Sequence, residues 1–468
     1  MTLSPTRSLS LTILLLAAVA GPRALLTAQQ LDRAVLVRAI DSIAQEPIDA
    51  GRAAGMSIAV VRGADTILLK GYGYADLELD VPTPAHAVYE IGSVTKQFTA
   101  AAVLQLQERG LLSLDDEITT YLPDYPTQGH RITIRRLLDH TSGIKGYTEM
   151  PQFWSTMVSR ALPRDSLVAL FAPEPFDFAP GDAMIYNNSA YFLLGLIIEK
   201  ASGQSYEDYI QERLFAPAEM SDSRYCSQSA VVKRRAHGYQ MGDHGLERAS
   251  YLDHTWPYAA GSICSTAWDM VAWNRALHGH GDGGGLLSAD AYRALITPGT
   301  LNDGTPLRYA KGLSVFEVDG RRRISHGGGI FGFVSESRYY PDDDLIVVVL
   351  INSTGPTSPG AVATTIEELV LGKQDSSPGR MFDGDLGPFA GTYGGAARGE
   401  PIEVIIAEDS GRLTLSTGGR EPRPLAYVDG LTFTLGSSVL QFVRDGDEVT
   451  ELRWDQISGY YVLRKDNR

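Results

Sequence analysis

The chain has 468 residues, a formal net charge of −15 and a pI near 5.1, and its shares of apolar and charged residues are ordinary for a globular protein. This length allows one large domain and a smaller one. The negative charge argues against nucleic acid as a partner and against adhesion to an anionic membrane surface.

The first 28 residues have the pattern of a signal peptide. Arg7 gives a positive start, Leu9 to Ala20 form an apolar core, and Ala18-Val19-Ala20 is a small-residue cleavage site with Ala28 as a later alternative. The apolar run is short for a membrane span, although an uncleaved anchor is the alternative interpretation. We therefore expect an exported protein, periplasmic or secreted, with no stable membrane span after signal removal.

Helical and extended patterns then alternate along the chain. A helix is predicted from Leu31 to Ile43, followed by a strand from Met56 to Val61 and a partner strand from Thr66 to Leu69. From Ser93 to about Leu277 most of the pattern is typical of helices and loops. Later elements are predicted as helices over Ile134–Leu138, Tyr191–Ile198, Trp268–Leu277 and Val362–Leu371, and as strands over Leu313–Val318, Phe333–Tyr340 and Leu345–Ile351.

This order predicts an α/β domain over residues 29–372, with an antiparallel sheet flanked by helices. Both ends of the domain would build the sheet, a helical region would be inserted between them, and the apolar strand Leu345–Ile351 would be central. Residues 373–384 are predicted as a linker, and residues 385–468 as a small antiparallel β domain, a barrel or a sandwich. Its strands are expected over Glu403–Ala407, Arg412–Ser416, Leu431–Leu435, Val439–Arg444, Glu451–Trp454 and Tyr460–Arg464.

Ser93-Val94-Thr95-Lys96 is the first motif that carries chemistry. Residues three apart on the first turn of a helix share a face, so a lysine base would lie beside the serine hydroxyl. The unpaired N–H groups of the helix N-terminus would stabilise an oxyanion. The alternative is a helix-capping serine with an exposed lysine. A second copy of the spacing, Ser142 to Lys145, lies among glycines and is interpreted as a loop.

Two further motifs follow in the chain. Tyr186-Asn187-Asn188 precedes a predicted helix, and a cationic lysine beside a buried tyrosine would lower the phenol pKa and allow proton exchange. His326-Gly327-Gly328-Gly329 precedes a predicted strand, where glycines allow close approach to the backbone. The dinucleotide-binding spacing at Gly327, Gly329 and Gly332 is rejected, because a strand stands where the phosphate-binding helix should begin.

Together the three motifs resemble those of the serine β-lactamase and penicillin-binding protein superfamily, in its class C-like branch. The order Ser-x-x-Lys, Tyr-x-Asn and His-x-Gly is kept, and the resemblance covers roughly Met56 to Asn352. Matching flanks include Ile132 to Gly143, Phe178 to Gly181, Ala260 to Ser262 and Gly332-Phe333. The tail from about Asp385 resembles small β domains appended to some members.

The resemblance implies a β-lactamase/transpeptidase-like fold and a role for each motif residue. Ser93 would be the acylated nucleophile, and Lys96 and Tyr186 would handle protons, with the phenol favoured as base toward the leaving group. Gly328 and Gly329 lie in the third motif, and the oxyanion hole would use backbone N–H groups of Ser93 and Gly329. Asn188 would hold the substrate amide, and His326 would border the site. No metal or organic cofactor is implied.

His326 stands where β-lactam-hydrolysing members carry lysine, and a histidine is mostly neutral near pH 7. The leading hypothesis is therefore an exported serine hydrolase of ester or D-amino-acid peptide bonds, acting on a small-molecule or peptidoglycan-type peptide substrate. The alternatives are a class C-type β-lactamase and a penicillin- or peptide-binding sensor without turnover. An α/β-hydrolase is disfavoured because no Gly-x-Ser-x-Gly motif surrounds Ser93 or Ser142.

Cys226 and Cys264 could pair in an oxidising compartment, but two buried thiols are the favoured interpretation. His237, His244 and His254 are scattered and are expected at the surface rather than as ligands. The substrate, the oligomeric state and the role of the C-terminal domain stay open at this stage.

Overall fold

The structure is a computed structural model that describes residues 33–279, 285–373 and 381–466. The predicted signal peptide lies outside the described residues, and so does most of the predicted linker. In the part of the chain that is described, no helix combines the length and apolar character needed to cross a membrane.

The helices occur mainly where the sequence periodicity predicts them, with bounds that differ by a few residues. They are α1 Arg33–Asp49, α2 Thr95–Glu108, α3 Ile134–Leu138, α4 Arg164–Phe171, α5 Asn188–Ser202, α6 Tyr206–Ile210, α7 Ala267–His278, α8 Ala289–Ile296 and α9 Pro359–Leu371.

The strands of the first 354 residues are β1 Gly55–Arg62, β2 Asp65–Asp76, β3 Val81–Pro82, β4 Tyr89–Glu90, β5 Met184–Ile185, β6 Arg224–Tyr225, β7 Tyr239–Gly242, β8 Gly245–Arg248, β9 Ile263–Ser265, β10 Ser314–Val318, β11 Arg321–Ile330, β12 Phe333–Tyr340, β13 Leu345–Ile351 and β14 Ser353–Thr354. The later strands are β15 Gly391–Gly395, β16 Ile402–Asp409, β17 Arg412–Thr417, β18 Arg423–Pro424, β19 Ala426–Asp429, β20 Thr432–Leu435, β21 Ser438–Asp445, β22 Glu448–Gln456 and β23 Gly459–Lys465.

The main sheet has the order β10-β11-β12-β13-β1-β2-β3 and is antiparallel throughout. As predicted, its strands come from both ends of the domain, and β13 is central and buried along its whole length. Alternate residues of β13 point to opposite faces. Val347 and Val349 pack into a core with α1 and α9, whereas Val348 and Leu350 pack into a larger core beneath α2 and α7.

The His326 motif precedes strand β12, as predicted, but the motif itself also lies within a strand, β11, which the sequence did not predict. β11 runs through His326 to Ile330 and pairs with β12 in the register His326 to Ser337 and Gly329 to Val334. Three consecutive glycines carry no β-forming side chains, so propensity did not indicate this strand. The backbone pairing with β12 decides the conformation instead.

Strands β15 to β23 form a nearly closed, barrel-like antiparallel sheet. Its interior is lined by aromatic rings, and Phe389, Phe433 and Phe442 contact one another edge to face. One strand of this sheet comes from far upstream: β5 pairs with β23, with Ile185 opposite Gly459 and Met184 opposite Tyr460. The sheet therefore extends onto the segment that leads directly into Tyr186.

Two expectations for cysteine and histidine are wrong. Cys226 and Cys264 form a disulfide with a Cα separation of 5.1 Å, because neighbouring strands β6 and β9 place Arg224 opposite Cys264. His254 is buried rather than exposed, and its Nε2 lies 3.5 Å from a Glu90 carboxylate oxygen.

Candidate active site

Ser93 lies in a short 3₁₀ turn, Gly92–Val94, that leads into α2 rather than in the first turn of the α-helix itself. Its side chain makes no capping hydrogen bond, so the capping alternative does not apply. Gly92 has φ of +52°, and a Cβ there would lie 2.9 Å from the backbone N and O of Gly329. Glycine at 92 thus allows the turn and β11 to touch.

Lys96 is completely buried, and its Nζ lies within hydrogen-bond distance of three oxygen atoms. It lies 3.3 Å from Ser93 Oγ, 2.7 Å from Asn188 Oδ1 and 2.8 Å from the Ala260 carbonyl oxygen. Burial lowers the pKa of Lys96 well below its usual range, and the Arg398 cation lowers it further, whereas Glu149 raises it. A neutral amine has two hydrogens for the two carbonyl oxygens, which leaves its lone pair for the serine hydroxyl.

Tyr186 is buried beside this lysine, with Lys96 Nζ 4.8 Å from the centre of its ring. The expectation of a lowered phenol pKa is wrong. Burial raises the pKa of Tyr186 and outweighs the lowering by Ser93 and Arg398. Its hydroxyl is enclosed without a well-formed hydrogen bond among the described residues. Tyr186 therefore stays a neutral phenol that can donate a proton.

Asn188 is the first residue of α5, and its side chain joins two parts of the site. Its Oδ1 accepts from Lys96, and its Nδ2 donates to Thr148 Oγ1 at 3.0 Å. These two contacts fix which way the amide points. Asn187 serves the helix instead, because its side chain accepts from the N–H of Ala190 as an N-cap.

His326 is buried next to Tyr186, and its side chain is not among the groups that line the cavity. Its Nδ1 donates to the Gly327 carbonyl at 2.6 Å, and its Nε2 accepts from the Tyr309 hydroxyl at 3.0 Å. Burial is the main reason that the pKa of His326 is lowered to about 3, and Lys96 contributes only when it is protonated. The imidazole is thus neutral, and its ring centre lies 6.0 Å from that of Tyr186.

Gly328 and Gly329 of the third motif face opposite ways. A Cβ at Gly328 would lie 2.1 Å from the Ile91 carbonyl oxygen, so this residue permits close packing rather than contact with a ligand. A Cβ at Gly329 would meet nothing within 4 Å, and Gly329 lines the cavity together with Ser93.

The cavity has a volume of about 1280 Å³ and opens over Ser93. Its wall is largely aromatic and apolar, which suits a substrate with a hydrophobic portion. The lining residues with side chains of that kind include Tyr147, Phe153, Trp154, Tyr251, Leu252 and Phe331. Arg398, Gly399 and Glu400 of the β15–β16 connection also line it. Sequence reasoning gave the C-terminal domain no residue in the site.

His140 is another residue near the site to which the sequence assigned no role, although it lies within the segment Ile132 to Gly143 that resembles the family. Its carbonyl accepts from the N–H of Ile185 at 3.1 Å, and its Nδ1 accepts from the N–H of Asn187 at 3.1 Å. Its ring lies 4.4 Å from that of Tyr186. The Tyr186 N–H itself donates to the Ser458 carbonyl of the C-terminal domain. Hydrogen bonds therefore fix the backbone N–H groups of three consecutive residues, Ile185, Tyr186 and Asn187.

The Ser142 to Lys145 copy lies in a loop, as predicted, and does not bring its lysine to Ser93. Lys145 Nζ contacts Asp177 Oδ1 at 3.0 Å and the Gly399 carbonyl at 2.7 Å. It thereby holds the β15–β16 connection over the cavity.

Among the described residues, one group of side chains has the spacing of metal ligands, and it does not line the cavity. Asp76, Glu78 and His237 present ligand atoms within 4.8 Å of one another. Glu78 already pairs with Arg248 at 3.0 Å and accepts from the Tyr239 hydroxyl. The guanidinium of Arg248 would repel a cation there, and the cluster is therefore an ion-pair network.

A serine beside a buried lysine, at the wall of a cavity on an antiparallel sheet flanked by helices, defines a serine hydrolase of the β-lactamase/transpeptidase-like fold. The family model named Beta-lactamase matches residues 40–371, and the chain belongs to this family.

Three known proteins illustrate the similarity. Penicillin-binding protein 4* of Bacillus subtilis (strain 168) is 28% identical over 344 residues, which cover 70% of this chain and 74% of that protein. A D-aminopeptidase of Brucella anthropi is 28% identical over 405 residues, 85% of this chain and 74% of that protein. The solved structure of the octameric penicillin-binding protein homologue from Pyrococcus abyssi has a TM-score of 0.65 at 25% identity, covering 92% of this chain and 100% of that one.

We predict that His140 acts as a positioning residue for Tyr186. His140 has φ of +58°, a conformation that Asn tolerates and Ala does not favour, and Asn also offers an acceptor. His140→Ala should lower kcat/KM for a nitrophenyl ester by roughly 10- to 100-fold, because small displacements of proton-handling groups are costly. His140→Asn should recover most of that loss. Equal losses in both variants at unchanged Tm would contradict the assignment.

The pH dependence of kcat/KM should follow the protonation of Lys96. The base is active when neutral, so kcat/KM should be lost as the pH falls through the lowered pKa of Lys96 and should level off above it. Glu149→Gln removes a charge that raises this pKa, so the acid limb should move to lower pH. His326→Gln should leave the limb in place, because the pKa of His326 is about 3. A limb that moves with His326 instead would reject Lys96 as the base.

Proposed function

We propose that this serine hydrolase cleaves amide or ester bonds of D-amino-acid derivatives through an acyl-enzyme on Ser93. The observation that carries the proposal is the 3.3 Å separation of Ser93 Oγ from a buried lysine amine whose lowered pKa favours the neutral state. An amine in that state can take the serine proton, which a surface lysine, protonated at neutral pH, cannot do.

In the first step, Ser93 Oγ attacks the substrate carbonyl carbon and its proton passes to Lys96 Nζ. The oxygen of the tetrahedral intermediate would be held by the backbone N–H groups of Ser93 and Gly329, which line the same cavity. Losing one such donor should cost on the order of 3 kcal/mol in the barrier. The C–N or C–O bond then breaks, and the leaving group takes a proton from the neutral phenol of Tyr186, which Lys96 restores. Deacylation runs in the reverse order: water attacks the acyl carbonyl, the bond to Ser93 Oγ breaks, and Ser93 regains its proton.

Two observations support the D-amino-acid class over a β-lactamase. The position that carries lysine in β-lactam-hydrolysing members holds the neutral, enclosed His326, which offers no cation to a β-lactam carboxylate. The second is the similarity to a D-aminopeptidase, which extends over 85% of this chain.

Turnover of three chromogenic substrates should test this function. D-Alanine p-nitroanilide and a short-chain nitrophenyl ester should be hydrolysed, L-alanine p-nitroanilide should be much slower, and a chromogenic cephalosporin should turn over poorly. Intact-mass measurement with a fluorophosphonate should show one adduct that Ser93→Ala abolishes. Fast cephalosporin turnover would favour the β-lactamase. A stable penicillin adduct without ester or anilide turnover would favour the sensor.

We further propose that the protein is exported to the periplasm or secreted. The signal-peptide pattern of residues 1–28 supports this, and so does the Cys226–Cys264 disulfide, because disulfides persist in oxidising compartments. Expression with the native N-terminus in a bacterial host should yield a periplasmic or secreted product whose mass shows removal of about 20 to 28 residues. A full-length cytoplasmic product with free thiols would reject export.

A further inference from the structure

Arg398 reaches from the C-terminal sheet into the cavity of the other domain. Its Nε donates to Glu149 Oε1 at 2.6 Å, and its guanidinium carbon lies 5.4 Å from the centre of the Tyr186 ring. Its side chain is 40% exposed, whereas that of Glu149 is 12% exposed. The Lys145 contact to the Gly399 carbonyl holds the neighbouring backbone. Arg398 is thus fixed at its Nε edge and open at its outer edge.

A continuous chain of hydrogen bonds joins Arg398 to the catalytic lysine. Glu149 accepts from Arg398 and from Thr148 Oγ1, the latter at 2.9 Å. Thr148 accepts from Asn188, and Asn188 accepts from Lys96. The group proposed to hold the substrate amide therefore lies two hydrogen bonds from Glu149, and Asn188 and Arg398 line the same cavity as Ser93.

Arg398 differs in charge from the other ionisable side chains that line the cavity. Among the described residues that line the cavity, Arg398 is the one cation, and Glu149 and Glu400 are the anions. Lys96 is enclosed, and His326 is neutral. Within residues 33–279, 285–373 and 381–466, the two terminal nitrogens of the Arg398 guanidinium have no hydrogen-bond partner. They form the fork that binds carboxylates in a bidentate manner.

We propose that Arg398 forms an anion subsite in which the C-terminal domain binds a carboxylate of the substrate, with Glu149 orienting the guanidinium. The subsite rests on the proposed function and implies that, among its substrates, D-amino-acid derivatives with a free carboxylate bind more tightly. The cation that the third motif lacks is supplied from the appended sheet. The charge of Glu149 is already compensated by Arg398, and Glu400 is exposed to solvent, so neither offers an equivalent site to an ammonium group.

Three unreactive probes test the charge preference: N-acetyl-D-alanine, which is anionic, N-acetyl-D-alaninol, its neutral counterpart of similar shape, and D-alaninol, which is smaller and cationic. Each is measured as a competitive inhibitor of nitrophenyl acetate hydrolysis. The wild type should bind the anionic probe roughly 10- to 100-fold more tightly than the neutral one, as a charged hydrogen-bond pair implies. Arg398→Ala should abolish this ratio, and Arg398→Lys should keep part of it.

Two further variants complete the test. Glu149→Gln keeps the acceptor for Arg398 but removes the compensating charge, so it should increase the affinity for the anionic probe. Arg420→Ala removes an exposed arginine of the same sheet and should leave all three affinities and the activity unchanged. A ratio that survives Arg398→Ala, or tightest binding of D-alaninol with its loss in Glu149→Gln, would overturn the subsite.

Calorimetry on the Ser93→Ala protein separates this proposal from the function on which it rests. The three probes bind without turnover, so the charge preference is measured even if the wild type hydrolyses no ester or anilide. Hydrolysis without a charge preference rejects the subsite alone. A charge preference without any hydrolysis or fluorophosphonate adduct rejects the acyl-enzyme and keeps the subsite.

Discussion

The loss of water around the amine of Lys96 is the constraint on which the rest of the site depends. An ammonium group enclosed without a carboxylate partner is costly, so the neutral form is favoured and the lysine becomes a base. Two carbonyl oxygens, from Asn188 and Ala260, hold the amine. They belong to the start of α5 and to the 3₁₀ turn Tyr258–Ala260, which lie far from α2 in sequence. The catalytic geometry is therefore a product of the whole domain.

Local patterns in the sequence were sufficient to predict most of the long helices and strands and to find the three motifs. The alternation of β13 between two cores follows from an apolar run, and Gly92 and the Ser93–Lys96 spacing carry their own conformational signals. The strand through Gly327 to Gly329 was not predicted, because its stability comes from pairing with β12 rather than from its side chains. The disulfide was not predicted either, because spacing along the chain does not give a distance in space.

The residues missed at the site share one property: each acts through a contact that no local pattern encodes. His140 holds the amides on both sides of Tyr186 through one carbonyl and one ring nitrogen. Its positive φ is a feature of the backbone that the residue type does not reveal. The contact of Ser458 with the Tyr186 N–H depends on how β23 pairs with β5. The C-terminal sheet thus supports the phenol directly, and any shift of that sheet is transmitted to Tyr186.

The same docking explains how a cation can serve this cavity without disturbing its base. At position 326, a charged side chain would be enclosed and close to Lys96, and the Tyr309 hydroxyl already donates to the imidazole there. A half-exposed guanidinium paired with Glu149 loses less hydration, since one neighbour compensates its charge and solvent reaches the remainder. Arg398 still lowers the pKa of Lys96, in opposition to Glu149. In the proposed subsite, substrate binding and base strength would be coupled through one ion pair, because a carboxylate that neutralises Arg398 would raise the pKa of Lys96, the proposed acceptor of the serine proton.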